Sequence, residues 1–289
     1  MTVYLYIILT LVVLILLMRY FTKKMYAIKR TRHTDTPEKF GIAFEEISIP
    51  TENDKQLYAW WIPAARDTKT APTLILVHGW SRNLGRMLRY IQNLHPLNYN
   101  LLAFDARHHG SSDQDDHASM YKFGRDVMAV VNNVKTRPIN LEKIGVVGLS
   151  LGGAGSTYAA ALEPAIKAVV TVGAPAHPVD IMSHEFKKHR LPAPIIWLIL
   201  KQVEMKIGVP YKQFAPETNI SKAAATFLII HGDQDEVVPP SQGEKLAGAA
   251  RPEQAELWSI PGRRHSNCHH EPEFWDRVHK FFQSQLAKG

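Results

Sequence analysis

Five short apolar runs, at residues 73–77, 101–104, 144–147, 168–172 and 226–230, recur along this chain without the polar alternation of a half-exposed strand. Runs of four or five residues with this texture belong to strands buried on both faces, as in a parallel sheet. Helix-length segments at 84–94, 123–135, 151–162 and 243–250 fill the gaps, and a final one runs from 272 to about 287. This alternation predicts an α/β fold with a mostly parallel central sheet flanked by helices, joined by right-handed crossovers. Two further β-like runs, 42–49 and 56–62, flank the turn-rich Thr51-Glu52-Asn53-Asp54-Lys55 and read as an opening hairpin. Another strand is expected near 257–260, before the last helix.

The chain has 289 residues, 45% of them hydrophobic and 21% charged, which excludes a disordered or fibrous polymer and suits one large domain over residues 41–289. Its single cysteine, Cys268, rules out an internal disulfide and a four-cysteine zinc site. One interval breaks the rhythm. About 175–225 separates two neighbouring strand candidates and carries Pro178, Pro192, Pro194, Pro210 and Pro216, so it is expected to be an inserted cap. Its apolar stretch, Ile195 to Leu200, reads equally as a helix packed on the domain or as a lid touching substrate or bilayer.

A net charge of +7 hints at nucleic acid until it is located. Arg19, Lys23, Lys24, Lys29, Arg30 and Arg32 fall together with no acid between them, and removing these six leaves 28 basic against 27 acidic residues. The body is nearly neutral, so no nucleic-acid partner is expected. The basic cluster follows residues 3–18, which are apolar except for Tyr4, Tyr6 and Thr10. At about 1.5 Å per residue, residues 1–22 can cross a hydrocarbon core of roughly 30 Å, and are expected to form an N-terminal transmembrane helix. A signal peptide would carry its basic residues before the apolar run, the reverse of what is found. With all six cations after the apolar run 3–18, the basic linker 23–40 and the body are expected in the cytoplasm, as a single-pass membrane protein.

Chemistry concentrates at Gly148-Leu149-Ser150-Leu151-Gly152, between the strand ending at 147 and the helix starting near 151. A serine on such a turn is pushed out of the sheet, and glycines two residues to either side avoid clashes. A free serine is a weak nucleophile and needs a histidine base with an orienting acid. Acids follow the strand 226–230 in His231-Gly232-Asp233-Gln234-Asp235-Glu236-Val237-Val238-Pro239, and a base follows the strand near 257–260 in Pro261-Gly262-Arg263-Arg264-His265. Both loops sit at carboxyl ends of strands, where a parallel sheet places its ligands. Asp233, directly after Gly232, is placed to bond local backbone N–H groups, whereas Asp235 lies further out, toward the ligand edge. An oxyanion would be held by the backbone N–H groups of Leu151 and of Trp80, in His78-Gly79-Trp80 after the strand 73–77.

With these pieces in order, the chain from about Phe44 to Ala287 resembles the α/β-hydrolase superfamily, in its serine-hydrolase branch of esterases, lipases and related peptidases. Five motifs carry the likeness: His78-Gly79-Trp80, the loop Asp105 to Ser112, the serine elbow, the His231 to Pro239 loop and Gly262-Arg263-Arg264-His265. The resemblance implies Ser150 as nucleophile, Asp235 as orienting acid and His265 as base, and gives Asp105 and Arg107 a structural role. It implies a carboxylic ester substrate, acyl-lipid or thioester among them, and no cofactor. The cluster of His265, Cys268, His269 and His270 lacks a second ligand pair, so no metal is expected. Two alternatives stay open: a serine peptidase of the same fold, and a non-catalytic membrane-bound interaction module.

Overall fold

The computed structural model describes residues 4–6, 8–9, 12–13, 15–16, 19–20 and 28–287. Eight strands form one sheet: β1 (Glu45–Thr51), β2 (Lys55–Ile62), β3 (Thr73–Val77), β4 (Asn100–Phe104), β5 (Ile144–Leu149), β6 (Ile166–Val172), β7 (Thr226–Gly232) and β8 (Ala255–Ile260). Their spatial order is β1-β2-β4-β3-β5-β6-β7-β8. Only β1/β2 and β2/β4 pair antiparallel, so from β4 to β8 every carboxyl end reaches the same edge. The opening hairpin turns through Asn53 and Asp54, both at positive φ, as a tight turn matched to strand twist requires.

Helices cover both faces because the strands between them have no polar side to show water. On one face lie α1 (Leu88–Leu94) and the C-terminal helix Phe274–Leu286; on the other lie α2 (Met120–Lys135), α3 (Leu151–Leu162) and the helix Ser241–Gly248. Phe123, Val127, Val130, Val131 and Val134 of α2 recur at helical spacing and are buried against the sheet. Opposite them, Phe274, Val278, Phe282 and Leu286 do the same. Burying each such side chain contributes about 1.5–3 kcal/mol, which is what holds the layers together.

Several boundaries differ from the sequence expectation, and three of the helices show why. The helix expected over 84–94 starts as a 3-10 turn, Leu84–Met87, because the Asn83 side chain caps Gly85 N–H and tightens the chain there. The last helix starts at Phe274, after a turn in which Phe274 N–H donates to the Glu271 carbonyl. The helix expected over 243–250 starts and ends earlier, at Ser241–Gly248, just after Pro239-Pro240.

The interval 175–225 folds into α4 (Pro178–Lys188), α5 (Ala193–Ile207) and two single turns, Tyr211–Phe214 and Pro216–Asn219. Ile196, Ile199, Leu200 and Val203 turn inward and join Phe186, Tyr211 and Phe214 against α2 and α3. Trp197 and Met205 point outward and are 61% and 74% exposed. The apolar stretch Ile195 to Leu200 is thus part of a packed helix, with Trp197 its one exposed residue.

Half of the expected membrane span, residues 1–22, lies outside the described residues. Those of its residues that are described are helical and exposed, and among the described residues no helix is long and apolar enough to cross a membrane. The described part of the basic linker rests on the body: Arg30 donates to the carbonyls of Gly110 (2.7 Å) and Ser112. Asn83 Nδ2 donates to the Thr31 carbonyl at 2.8 Å, and His33 packs on Tyr58 and Trp60.

Candidate active site

Ser150 joins β5 to α3 with φ 50° and ψ −119°, a left-handed conformation costly for any residue with a Cβ. Its hydroxyl does not cap α3, although serine usually does at that position. Neighbouring backbone explains why the strain persists. A Cβ on Gly148 would lie 2.5 Å from Gly153 Cα, and one on Gly152 would lie 2.4 Å from the His78 carbonyl oxygen. Strand, helix and the loop after β3 approach closely enough to leave the chain no other path.

Asp235 and His265 meet beside this turn. His265 Nδ1 lies 2.7 Å from Asp235 Oδ2, while Asp235 Oδ1 accepts the N–H groups of Val237 (2.9 Å) and Val238 (2.8 Å). His231 stands behind the pair, its Nε2 2.9 Å from the Val238 carbonyl and 3.5 Å from Asp235 Oδ2. Burial acts to raise the Asp235 pKa, but hydrogen bonds from His231 and His265 outweigh it and hold the group at about 2. The carboxylate is therefore ionised, and its hydrogen-bonding sites fix the His265 proton on Nδ1. Asp233 is not part of this pair; it accepts the Gly262 N–H at 2.7 Å and ties the β7 loop to the β8 loop.

The loop after β3 lies against the elbow, since a Cβ on Gly79 would be 3.2 Å from both Ser150 Cβ and the Leu149 carbonyl oxygen. Among the described residues the backbone N–H groups of Trp80 and Leu151 donate to no acceptor. His78 holds this loop. Its Nδ1 is 2.7 Å from the Gly79 carbonyl and its Nε2 accepts the Ala106 N–H at 3.0 Å. Burial, with His109 beside it, pushes the His78 pKa down to about 3, so it is neutral and structural. Asp105 accepts the N–H groups of Leu84 (2.6 Å) and Ser111 (2.7 Å), and Arg107 pairs with Asp126 at 2.6 Å, both fully buried.

Two cavities open at Ser150. The first, about 350 Å³, runs beneath α4 and α5 and is lined largely by apolar residues such as Met182, Phe186, Val203, Ile207 and Phe214. The second, about 280 Å³, contains His265 and is lined by Arg82, Arg86, Arg89 and His269. Cys268 also faces it, but burial raises its thiol to about 11, so it stays protonated. Among the described residues no three of His, Cys, Asp and Glu converge as a metal site needs. No hydrogen bond joins Ser150 to His265 among them, although both line the second cavity.

All five residues singled out from sequence thus face one edge: Ser150, Asp235, His265, Trp80 and Leu151. Sequence reasoning missed two neighbours. Gly173, after β6 with φ 62°, leaves room for the pair; a Cβ there would lie 3.1 Å from His265 Nδ1 and 3.3 Å from Asp235 Oδ2. A lone glycine between the strand end and Pro175 was the available signal. The second is the arginine group, scattered through 82–89 with no motif to mark it.

Residues 72–194 match the family described as α/β hydrolase fold. Over 259 residues the chain is 24% identical to the uncharacterized membrane protein YNL320W of Saccharomyces cerevisiae, covering 89% of this chain and 84% of that protein. It is 24% identical to the α/β hydrolase domain-containing protein WAV2 of Arabidopsis thaliana, over 80% of this chain and 75% of that one. Among solved structures it resembles the Pyrococcus furiosus esterase Pf2001, with a TM-score of 0.70 and 24% identity over 90% of this chain and 100% of that chain. Strand order, the elbow and these likenesses agree: the chain has the α/β-hydrolase fold.

Proposed function

We propose that this protein is a serine hydrolase of carboxylic esters that works through an acyl-enzyme on Ser150. The observation that carries the reading is the 2.7 Å Asp235–His265 pair beside a strained, uncapped serine. With its proton fixed on Nδ1 by Asp235, His265 offers Nε2 to take the Ser150 proton as the oxygen attacks the acyl carbon. Negative charge then develops on the acyl oxygen, where the uncommitted N–H groups of Trp80 and Leu151 can receive it. Collapse expels the alcohol, protonated by His265, and water repeats the steps to release the acid. Catalytic hydrogen bonds commonly tighten only once substrate is bound, so the missing Ser150–His265 bond is compatible with this sequence.

The apolar cavity under the cap supports an acyl chain over a peptide. Its one acid, Glu185, is exposed and paired with Lys188 and His189, which leaves no anionic anchor for a peptide amino terminus. The name of the Pf2001 esterase points the same way. Ser150→Ala is expected to abolish labelling by a fluorophosphonate and to lower ester turnover by about 10⁴-fold or more, with the fold retained. Undiminished labelling would overturn the reading.

We also propose that residues 1–22 anchor the enzyme and that Arg19 onward lies in the cytoplasm. The uncharged apolar run and the six cations after it support this orientation. Protease added to spheroplasts should leave the body uncut; its degradation without lysis would reverse the topology.

A further inference from the structure

The two cavities that meet at Ser150 differ in chemistry, and Trp80, Ser150 and Val237 line both. An ester bound across the serine puts its acyl chain in one and its alcohol in the other. The apolar cavity suits the chain, which leaves the alcohol facing Arg82, Arg86 and Arg89. Arg86, in the 3-10 turn Leu84–Met87, and Arg89, in α1, follow each other three residues apart, Arg82 precedes them in the loop, and all three line one cavity. Like charges gathered in this way cost stability in the absence of an anion. None of the three pairs with a carboxylate among the described residues. Arg86 spends one donor on the Ser266 carbonyl at 3.0 Å, and Arg89 contacts His269. Each guanidinium has five N–H donors, so most remain unspent in the cavity.

The body of the protein is nearly neutral, so this cluster is a local feature and no sample of a generally basic surface. Burial together with Arg89 and Arg82 lowers the Arg86 pKa, the sign of a cation crowded by its own kind. His269 is held neutral, pushed to about 3 by burial and by Arg89, and remains able to donate a hydrogen bond.

We infer that the alcohol side of the site binds a phosphate, held by Arg86 and Arg89 with Arg82 at the mouth, so that the substrate is an acyl ester of a phosphorylated alcohol. Planar guanidinium forks match phosphate oxygens in pairs, which lysines would not. The inference rests on the serine-hydrolase reading and names the substrate class of that site. In the reaction the acyl carbon–oxygen bond breaks, the acyl group passes to Ser150 Oγ and then to water, and the alcohol leaves with its phosphate intact. The products are a carboxylate, a proton and the phosphorylated alcohol; no other reactant is needed.

The test compares a monoacylglycerol with the monoacylglycerol phosphate bearing the same acyl chain, using the full-length protein in detergent. The phosphate ester should have a kcat/KM about tenfold higher, as expected for charge-assisted hydrogen bonds, and the advantage should shrink with added salt. Arg86→Gln and Arg89→Gln should each bring the ratio toward one, Arg86→Lys should restore part of it, and Lys280→Gln, at an exposed residue that lines neither cavity, should leave it as it was. A separate readout avoids turnover: Ser150→Ala protein should bind glycerol phosphate by calorimetry, and lose that binding with Arg86→Gln added. Equal turnover of both esters, with a ratio indifferent to the arginines, would overturn the inference and leave the hydrolase standing. If Ser150→Ala still hydrolyses both esters, the hydrolase reading falls, and the calorimetry alone then decides for or against the phosphate site.

Discussion

Asp235 Oδ2 lies 2.7 Å from His265 Nδ1, although Asp233, two residues earlier, stands on the same loop. Asp233 has given its carboxylate to the Gly262 N–H, also at 2.7 Å. The two acids therefore have separable tasks. In Asp235→Asn the amide NH₂ would face His265 Nδ1 and force the proton onto Nε2, the nitrogen that must accept from Ser150. We expect its kcat to fall by about 10⁴-fold with the native fold retained and some loss of melting temperature, since the native state favours the ionised carboxylate. Asp233→Asn keeps an oxygen acceptor for Gly262 and should retain most activity while losing under about 1 kcal/mol of stability. Steady-state kinetics and thermal melts of the two variants check this, and the reverse order would make Asp233 the orienting acid.

Why Asp235 was legible, and Gly173 was not, follows from where each signal lives. Unalternating runs such as 73–77 and 226–230 declare strands buried on both faces, and once the sheet is parallel its carboxyl ends share an edge. Ser150, Asp235 and His265 then converge from three loops by topology alone. Gly173 matters because of what stands across from it, His265 and Asp235, ninety-two and sixty-two positions further along. Arg82, Arg86 and Arg89 likewise look like ordinary surface cations until the cavity beside them is seen. The break at Leu84–Met87 depends on the Asn83 cap, a local competition that apolar periodicity does not report.

Gly173→Ala tests how tightly the pair is held. The new Cβ would stand 3.1 Å from His265 Nδ1 and 3.3 Å from Asp235 Oδ2, at a φ of 62°. The left-handed backbone costs about 1–2 kcal/mol with a Cβ present. The ring must also shift by a few tenths of an ångström, and displacements of this kind near a reacting centre are costly, up to about 10²-fold for a full ångström. We expect kcat to drop about tenfold with KM little changed. A variant with wild-type kcat and reduced melting temperature would show that the pair tolerates the methyl.

Stability should depend on pH through His109, which is buried beside His78, Trp80 and Phe123. Burial lowers its pKa to about 4, against an ordinary value of 6.5. Between those values the unfolded chain binds the proton and the native one does not. The stability this group contributes is therefore full above pH 6.5 and is lost as pH falls through about 4. His109→Gln removes the titration, so its stability deficit relative to wild type should narrow on acidification, by at most about 1.4 kcal/mol per pH unit. Urea midpoints at pH 7 and pH 5 measure it; a gap that widens would show that the buried ring is charged in the native state.

The apolar cavity makes a graded prediction about acyl length. Each methylene moved from water to an apolar wall is worth about 0.8 kcal/mol, close to fourfold in kcat/KM, until the cavity is full. Met182 lines that space from α4 and is only half-buried, so a larger side chain there can be accommodated without opening the core. Met182→Trp should leave turnover of acetyl and butyryl esters near wild type while flattening the gain with chain length, so that the longest esters lose most. Nitrophenyl esters of increasing acyl length, run on both proteins, give the two slopes directly. Parallel slopes would mean that the acyl chain lies elsewhere, and would move it to the arginine side of Ser150, against the assignment of the two cavities made above.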